Sequence, residues 1–324
     1  MTMANTESDM PLTPAIATPR HHVAIFAGLL VVLLLAPFVL YPVFLMKVLC
    51  FALFASALNL LLGYGGLLSF GHAAFFGSAS YVSAHAAKVW GVTPELAILF
   101  GTAAGALLGL AIGSLAIRRQ GIYFAMVTLA FAQMVFFLAL QLPFTGGEDG
   151  IQAVPRGRLF GVIDLGNDLT LYFVVLLIVF GGLMLIYRII HSPFGQVLKA
   201  IRDNEPRAES LGYKVNRYKL AVFVMSASLA GLAGATKAIV FQLASLTDVY
   251  WTMSGEVVLM TLLGGMGTIF GPFVGAAVIV TMESYFAGFG AWVTVLQGVV
   301  FVITVLLFRE GIIGVIARWI RKPL

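Results

Sequence analysis

NLLLGYGGLLSFGHAAFFGSAS, residues Asn59–Ser80, decides how this chain is read. The stretch is apolar enough for a lipid bilayer. Yet Gly63, Gly65, Gly66, Gly71 and Gly77 interrupt it, and Asn59, Ser69 and His72 place hydrogen-bonding groups inside it. An exposed backbone or side-chain polar group is costly in hydrocarbon, so a broken, polar-dotted segment survives only where protein buries it or a watery cavity bathes it. Two readings stand. Either Asn59, Gly65, Gly66, Ser69 and His72 belong to a partly unwound element beside a substrate path, or the glycines form a packing face that lets backbones approach closely.

The rest of the chain agrees with a membrane setting. Of 324 residues, 60% are hydrophobic and only 10% charged, which excludes an ordinary soluble domain. Apolar runs of roughly 17 to 25 residues recur, and nothing alternates as an outer-membrane barrel does. The fold class is all-α: a polytopic membrane protein of about eight to ten transmembrane helices, some of them interrupted. Candidate spans lie at 23–41, 44–62, 71–88, 95–116, 121–141, 170–188, 219–241, 252–266, 270–287 and 290–308. At about 1.5 Å per residue the eighth is too short to cross upright, so re-entrant segments and a count of eight stay open.

Residues 1–22 read as a disordered cytoplasmic tail, 23–312 as the transmembrane domain and 313–324 as a cytoplasmic C-terminal tail. The first apolar run leads into Pro42 and more apolar sequence rather than a small-residue cleavage site, and is taken as an uncleaved span. Cys50 is the sole cysteine, which leaves no intramolecular disulfide and no cysteine metal cluster. With both termini inside, fourteen of the nineteen Lys and Arg fall on the cytoplasmic face, as the positive-inside rule requires. The net charge of +5 thus sits at membrane boundaries and calls for no nucleic acid.

Two loops stand out. The external loop, 143–169, opens with TGGEDGIQAVPR, whose Gly146-Gly147 and Asp149-Gly150 pairs suit tight turns, in either an ordered surface that docks something or a plain solvated loop. The cytoplasmic loop, 189–218, predicts two short helices. Pro193 starts the first, and Phe194, Val197, Leu198 and Ile201 form its apolar side. Asp203 or Asn204 caps the second, from about Pro206 to Leu211, and Gly212 stops it. Ala208 and Leu211, on a side ringed by charge, suit a groove in a soluble partner, or the helix rests on anionic lipid.

A third element, SGEVVLMTLLGGMGTIFGPFVG (Ser254–Gly275), must break in mid-membrane at Gly264, Gly265, Gly267, Gly271 and Pro272. Two half-helices whose freed backbone lines a path are expected there, or else a packing hinge. Lys47, His72, His85, Lys237, Glu256 and Glu283 are ionisable residues at membrane depth, each a functional candidate. Lys47 and Glu256 lie where they could snorkel to an interface. Lys237 and Glu283 are candidates to pair with each other or with a neighbouring subunit.

Enzyme signatures are missing from the sequence. No lysine follows a glycine, so the chain has no G-x-x-x-x-G-K-[ST] phosphate loop, and there is no H-E-x-x-H helix. Leu67 stands where a G-x-S-x-G elbow around Ser69 needs its first glycine. No catalytic residue, metal or cofactor is assigned. A transport subunit and an ion-coupled secondary transporter are the competing classes, with an intramembrane serine hydrolase distant.

Ala57–Gly77, Ala200–Gly234 and Leu262–Val278, joined by TGGEDGI (Thr145–Ile151) and LLFREGIIG (Leu306–Gly314) in the same order, resemble the inner-membrane permeases of branched-chain amino-acid ABC importers of the LivM type. The sequence departs from that pattern at Arg309-Glu310, where a proline is usual, and at Lys237. The resemblance implies a type II ABC importer-like fold in a bacterial inner membrane. It also implies a second homologous permease subunit, two cytoplasmic ATP-binding subunits and a periplasmic or lipid-anchored solute-binding protein. Glu205, Arg207, Ala208, Glu209, Leu211 and Gly212 would then couple to the ATPase. Gly146, Gly147 and Asp149 would help receive the binding protein, and Gly264, Gly265 and Gly267 would line the path. Leucine, isoleucine and valine are the substrates implied, with urea, amides, aromatic compounds or small carboxylates as alternatives in the same family.

Overall fold

The computed structural model describes residues 19–290, 292–307 and 311–320. All ten candidate spans are helical, in whole or nearly so, and the sheet content is four two-residue strands among the described residues. In chain order the helices are α1 Pro19–Leu35, α2 Pro42–Asn59, α3 His72–Lys88, α4 Pro94–Ala116, α5 Ile122–Gln141, α6 Asp168–His191, α7 Pro193–Asp203, α8 Glu205–Ser210, α9 Val215–Phe241, α10 Trp251–Gly264, α11 Gly271–Phe286, α12 Trp292–Leu307 and α13 Gly311–Ile320. Among the described residues six continuous helical segments are long and apolar enough to cross a membrane: Pro42–Tyr64, Pro94–Ala116, Ile122–Gln141, Asp168–His191, Val215–Phe241 and Gly271–Phe289. The helices at the other four candidate spans, α1, α3, α10 and α12, have 14 to 17 residues. Most of the polar tail, residues 1–18, and Arg309-Glu310, Arg321 and Lys322 lie outside the described residues.

Local chemistry sets the helix starts. Prolines occupy the first turn of α2, α4, α7, α8 and α11, where their fixed φ helps and the missing N–H costs nothing. Asn167, Ser192 and Asn204 cap α6, α7 and α8 through their side chains.

The core is the packing of α3, α4 and α9, with α2 against α9 and α6. Gly101, Gly105, Gly109 and Gly113 recur every four residues on α4 and meet Ala235, Gly231, Ala227 and Phe223 of α9. A Cβ on Gly105 would lie 3.0 Å from the Gly231 Cα. The two backbones therefore touch, which is how helices gain dispersion energy when lipid supplies no hydrophobic drive.

One expectation is corrected by the third element. The break after α10 does not separate two half-helices of a single span. A Cβ on Gly264 would strike the Gly271 carbonyl and one on Gly275 the Met260 carbonyl. α10 and α11 thus lie side by side as an antiparallel hairpin that enters and leaves at one end of the bundle. Gly265 (φ 124°) and Gly267 (φ 78°) turn the chain through conformations that a side chain disfavours.

Candidate translocation and coupling site

Asn59, at the end of α2, joins the two interrupted elements. Its side chain is buried. Nδ2 donates to the Thr268 carbonyl at 2.7 Å, and Oδ1 accepts from the Gly267 N–H at 2.9 Å. A side-chain amide carries a donor and an acceptor on separate atoms, so it serves a carbonyl and an N–H of the hairpin turn at the same time. α2 then continues as a π-helical turn, Leu60–Tyr64. The wider turn leaves the Gly63 carbonyl outside the helical ladder, where Arg202 Nη1 of α7 donates to it at 2.6 Å. The Arg202 stem lies over Gly66, whose hypothetical Cβ would sit 2.8 Å from the Arg202 Cγ. Asn59, Gly66, Gly265 and Gly267 are therefore gathered into one region with Arg202.

The other predicted path residues are distributed differently. Gly65 is buried behind the Leu61 carbonyl, and Gly264 is sealed inside the hairpin. The Ser69 hydroxyl accepts from the Gly71 N–H at 3.1 Å, just ahead of α3. The next orphan donors at that helix start go to Thr128 of α5, through the Phe70 N–H, and to Ser254 of α10, through the Ala73 N–H. His72 Nε2 lies 2.8 Å from the Ser226 hydroxyl, which itself donates to the Ala57 carbonyl at 2.5 Å. The serine's only proton is thus committed, so Nε2 carries the ring proton and the buried Nδ1 lone pair has no partner.

At the α7–α8 end, the residues expected to meet a partner divide into two sets. Glu205 is held within the chain: Lys219 Nζ donates to both its oxygens at 2.7 Å and Gln120 to Oε1 at 3.0 Å. Ala208 is buried against Ile201 and Val215, so it fixes α8 to the bundle instead of facing a groove. Arg207, Glu209, Leu211 and Gly212 are exposed, with Leu211 70% and the neighbouring Tyr213 40% accessible. Lys199, one turn before Arg202, has its ammonium 5.7 Å from the Tyr64 ring centre. Partial burial, aided by the Arg202 charge, lowers its pKa below the ordinary value.

At the opposite end, Gly146 and Gly147 form the expected turn, and Asp149 is exposed on it. The loop is more firmly tied than a solvated loop need be. Its strand Ile151–Gln152 pairs antiparallel with Leu243–Ala244. Arg156 bridges Asp168 at 2.7 Å and the Val240 carbonyl at 3.1 Å, and His85 stacks on Phe144 with ring centres 3.9 Å apart.

Lys237 and Glu283, candidates to pair with each other or with a neighbouring subunit, each find a different partner within the chain. Lys237 Nζ meets both Asp248 oxygens at 2.8 and 2.6 Å in a buried ion pair. Lys47 meets Glu283 at 3.1 Å, and Gln297 donates to the other Glu283 oxygen at 3.4 Å. Asp248 and Arg202 are the residues that sequence reasoning passed over. Arg202 is one charge among several in a polar helix, and Asp248 is the lone charge between Lys237 and Glu256, where nothing in the sequence marks a buried partner.

The family model described as "Branched-chain amino acid transport system / permease component" matches residues 40–307. The chain is 30% identical over 284 residues to the "High-affinity branched-chain amino acid transport system permease protein LivM" of Escherichia coli (strain K12), covering 79% of this chain and 66% of that protein. The protein of the same name from Salmonella typhimurium gives the same figures, so the match spans just under two thirds of these relatives' length. The "Probable branched-chain amino acid transport permease protein LivH" of Methanocaldococcus jannaschii is 25% identical over 260 residues, covering 73% of this chain and 79% of that one. No solved structure matches the chain. With a family match over most of its length and a helical membrane architecture to carry it, the chain belongs to the branched-chain amino acid transport system permease component family.

Proposed function

We propose that this chain is a transmembrane permease subunit of an ATP-driven importer and passes leucine, isoleucine, valine or a closely related small solute across a bacterial inner membrane. The observation that carries the reading is the bonded route from α7 to both broken elements, Arg202 to Gly63 and Asn59 to Gly267 and Thr268. A motion applied to the α7–α8 pair reaches the interrupted helices through the buried Asn59 and through Arg202, whose other guanidinium nitrogens hold Asp203 of the same helix. The exposed Arg207, Glu209, Leu211 and Tyr213 would rest in the groove of a cytoplasmic ATPase, one of a pair. A second homologous permease would complete the membrane portion.

In this reading the α7–α8 end is cytoplasmic and the Gly146–Asp149 end faces a solute-binding protein. The strong basic bias of the α7–α8 end supports that orientation. Switching between access states must come from differential contacts of ATP and of loaded binding protein with the two states.

Uptake of radiolabelled leucine into vesicles tests the proposal, with the chain co-expressed with the products of its neighbouring genes. Uptake is expected to need both internal ATP and added binding protein. Uptake by the chain alone, driven by an ion gradient, overturns it in favour of a secondary transporter.

A further inference from the structure

A pocket of about 190 Å³ opens between α4 and α9, and the route above does not use it. Gly113, Ser114, Ile117 and Arg118 line it from the α4 side, Asn216 and Leu220 from α9. The two helices touch beside it, since a Cβ on Gly113 would lie 3.1 Å from the Leu220 Cδ1. The floor, Gly113, Ile117 and Leu220, is apolar. The rim, Ser114, Arg118 and Asn216, is polar and exposed.

The hydroxyl proton of Ser114 goes to the Ala111 carbonyl at 2.8 Å. The Arg118 guanidinium and the Asn216 amide, by contrast, have no hydrogen-bond or ion-pair partner among the described residues. Gln120, two positions on, reaches Glu205 of α8, and that carboxylate is already neutralised by Lys219. No lining residue is acidic. The rim therefore offers donors and one uncompensated positive charge. Its depth follows from α4, which runs for 23 residues, about 35 Å at 1.5 Å per residue against a hydrocarbon core of about 30 Å. Arg118, two residues past the helix end, thus stands at headgroup level. Leu107 and Leu110, 67% and 46% accessible, continue the stripe of Ser114 toward mid-membrane. The pocket is the polar end of an exposed apolar strip, which in a bilayer lies against acyl chains.

A ligand that completes this arrangement carries an anion for Arg118 and Asn216 and hydrocarbon for the floor and the strip. A phosphodiester headgroup with its acyl chains has both, and basic pockets between helices at a membrane boundary bind such headgroups. A zwitterionic headgroup also brings an ammonium, which finds no carboxylate in the lining. We infer that the α4–α9 pocket is a binding site for an anionic phospholipid. Arg118 receives the phosphate through the fork of its guanidinium, Asn216 donates a further bond, and one acyl chain runs past Leu110 and Leu107. Bound there, the lipid ties the end of α4 to the start of α9, beside the Glu205–Lys219 pair that anchors α8.

The test uses the full chain, purified in mild detergent with the subunits that accompany it. Native mass spectrometry reads its binding of added phosphatidylglycerol and phosphatidylcholine. Wild type is expected to bind phosphatidylglycerol at least about tenfold more tightly, and Arg118→Ala to lose that margin, as loss of a charge-assisted bond does. Leu220→Trp, which fills the floor and leaves the charge in place, loses it as well. Arg119→Ala removes an equal charge from a residue outside the lining and is expected to cost at most about fivefold. Arg118 is exposed and lies beyond the helix end, so its truncation leaves the fold intact, which size exclusion verifies. Equal affinity of wild type for the two lipids overturns the site. Equal losses in Arg118→Ala and Arg119→Ala do so too, because they reduce it to general surface charge. An Arg118→Ala complex that keeps the preference but sheds an accompanying subunit makes the pocket a protein contact and likewise overturns it.

Discussion

Arg202 and Gly63, 139 positions apart, are joined by a 2.6 Å hydrogen bond from the guanidinium Nη1 to the backbone carbonyl. Gly63 has no room for any other residue, because a Cβ there would lie 2.6 Å from the Gly267 nitrogen. The bond is charge-assisted, and such bonds contribute about 1.5–3 kcal/mol. Arg202→Ala is therefore expected to cut ATP-driven uptake about tenfold or more, while ATP hydrolysis by the assembled complex continues. Arg202→Lys keeps the charge without the fork and should fall between the two. Unchanged transport per ATP in the Ala variant removes Arg202 from the route.

Replacing Glu205–Leu211 by a flexible Gly/Ser linker is expected to abolish ATP-dependent uptake and leave the protein in the membrane. A finer variant separates partner contact from internal anchoring. Leu211→Asp alters an exposed side chain while the Glu205–Lys219 pair and the buried Ala208 stay in place. It should weaken ATPase binding in a pull-down without lowering the thermal stability of the chain. Normal pull-down and normal transport dismiss Leu211 as a contact.

Gly265→Leu puts a bulky branched side chain at φ 124°, a region that non-glycine residues rarely enter. The Gly311 backbone, moreover, closes directly on Gly265. Loss of uptake together with poor folded yield is expected, measured by transport and by fluorescence-detected size exclusion. Uptake with unchanged kinetics contradicts the hairpin geometry.

The buried Lys237–Asp248 pair offers a stability measurement independent of transport. Removing one partner leaves an uncompensated buried charge, which costs about 3–5 kcal/mol, whereas neutralising both is often nearly neutral. Lys237→Met alone should sharply lower the midpoint of thermal unfolding in detergent. Lys237→Met with Asp248→Asn should restore most of it. Equal midpoints for the single and double variants argue that the pair contributes nothing.

The helices, their order and the two short helices of the 189–218 loop were legible in the sequence, because apolar runs, first-turn prolines and capping residues act locally. The α8 cap at Asn204 and the breaks around Gly65 and Gly265 are of that kind. The hairpin of α10 and α11 was not, since Gly264 and Gly275 announce a close approach without naming the backbone approached. Charge partners were equally hidden. Lys237 finds Asp248 only 11 positions on, in a turn that Ser245 and Asp248 cap locally without marking Lys237 as a partner, whereas Glu283 finds Lys47 across 236. Of the candidate path residues, Asn59 proved a bridge between two broken elements, and Ser69 and His72 proved to be bonded within the bundle.

α9 is held at both of its ends. Near its start Lys219 grips Glu205 of the α8 helix, and just past its finish Leu243–Ala244 is stitched to Ile151–Gln152. The helix itself runs unbroken for 27 residues, a rod of about 40 Å at 1.5 Å per residue. Its sides are locked too, by the glycine face of α4. A stiff rod so fastened can slide or turn along its axis but can hardly bend. The two rims of the bundle thus share a single mechanical coordinate, and neither can be repositioned while the other stands still.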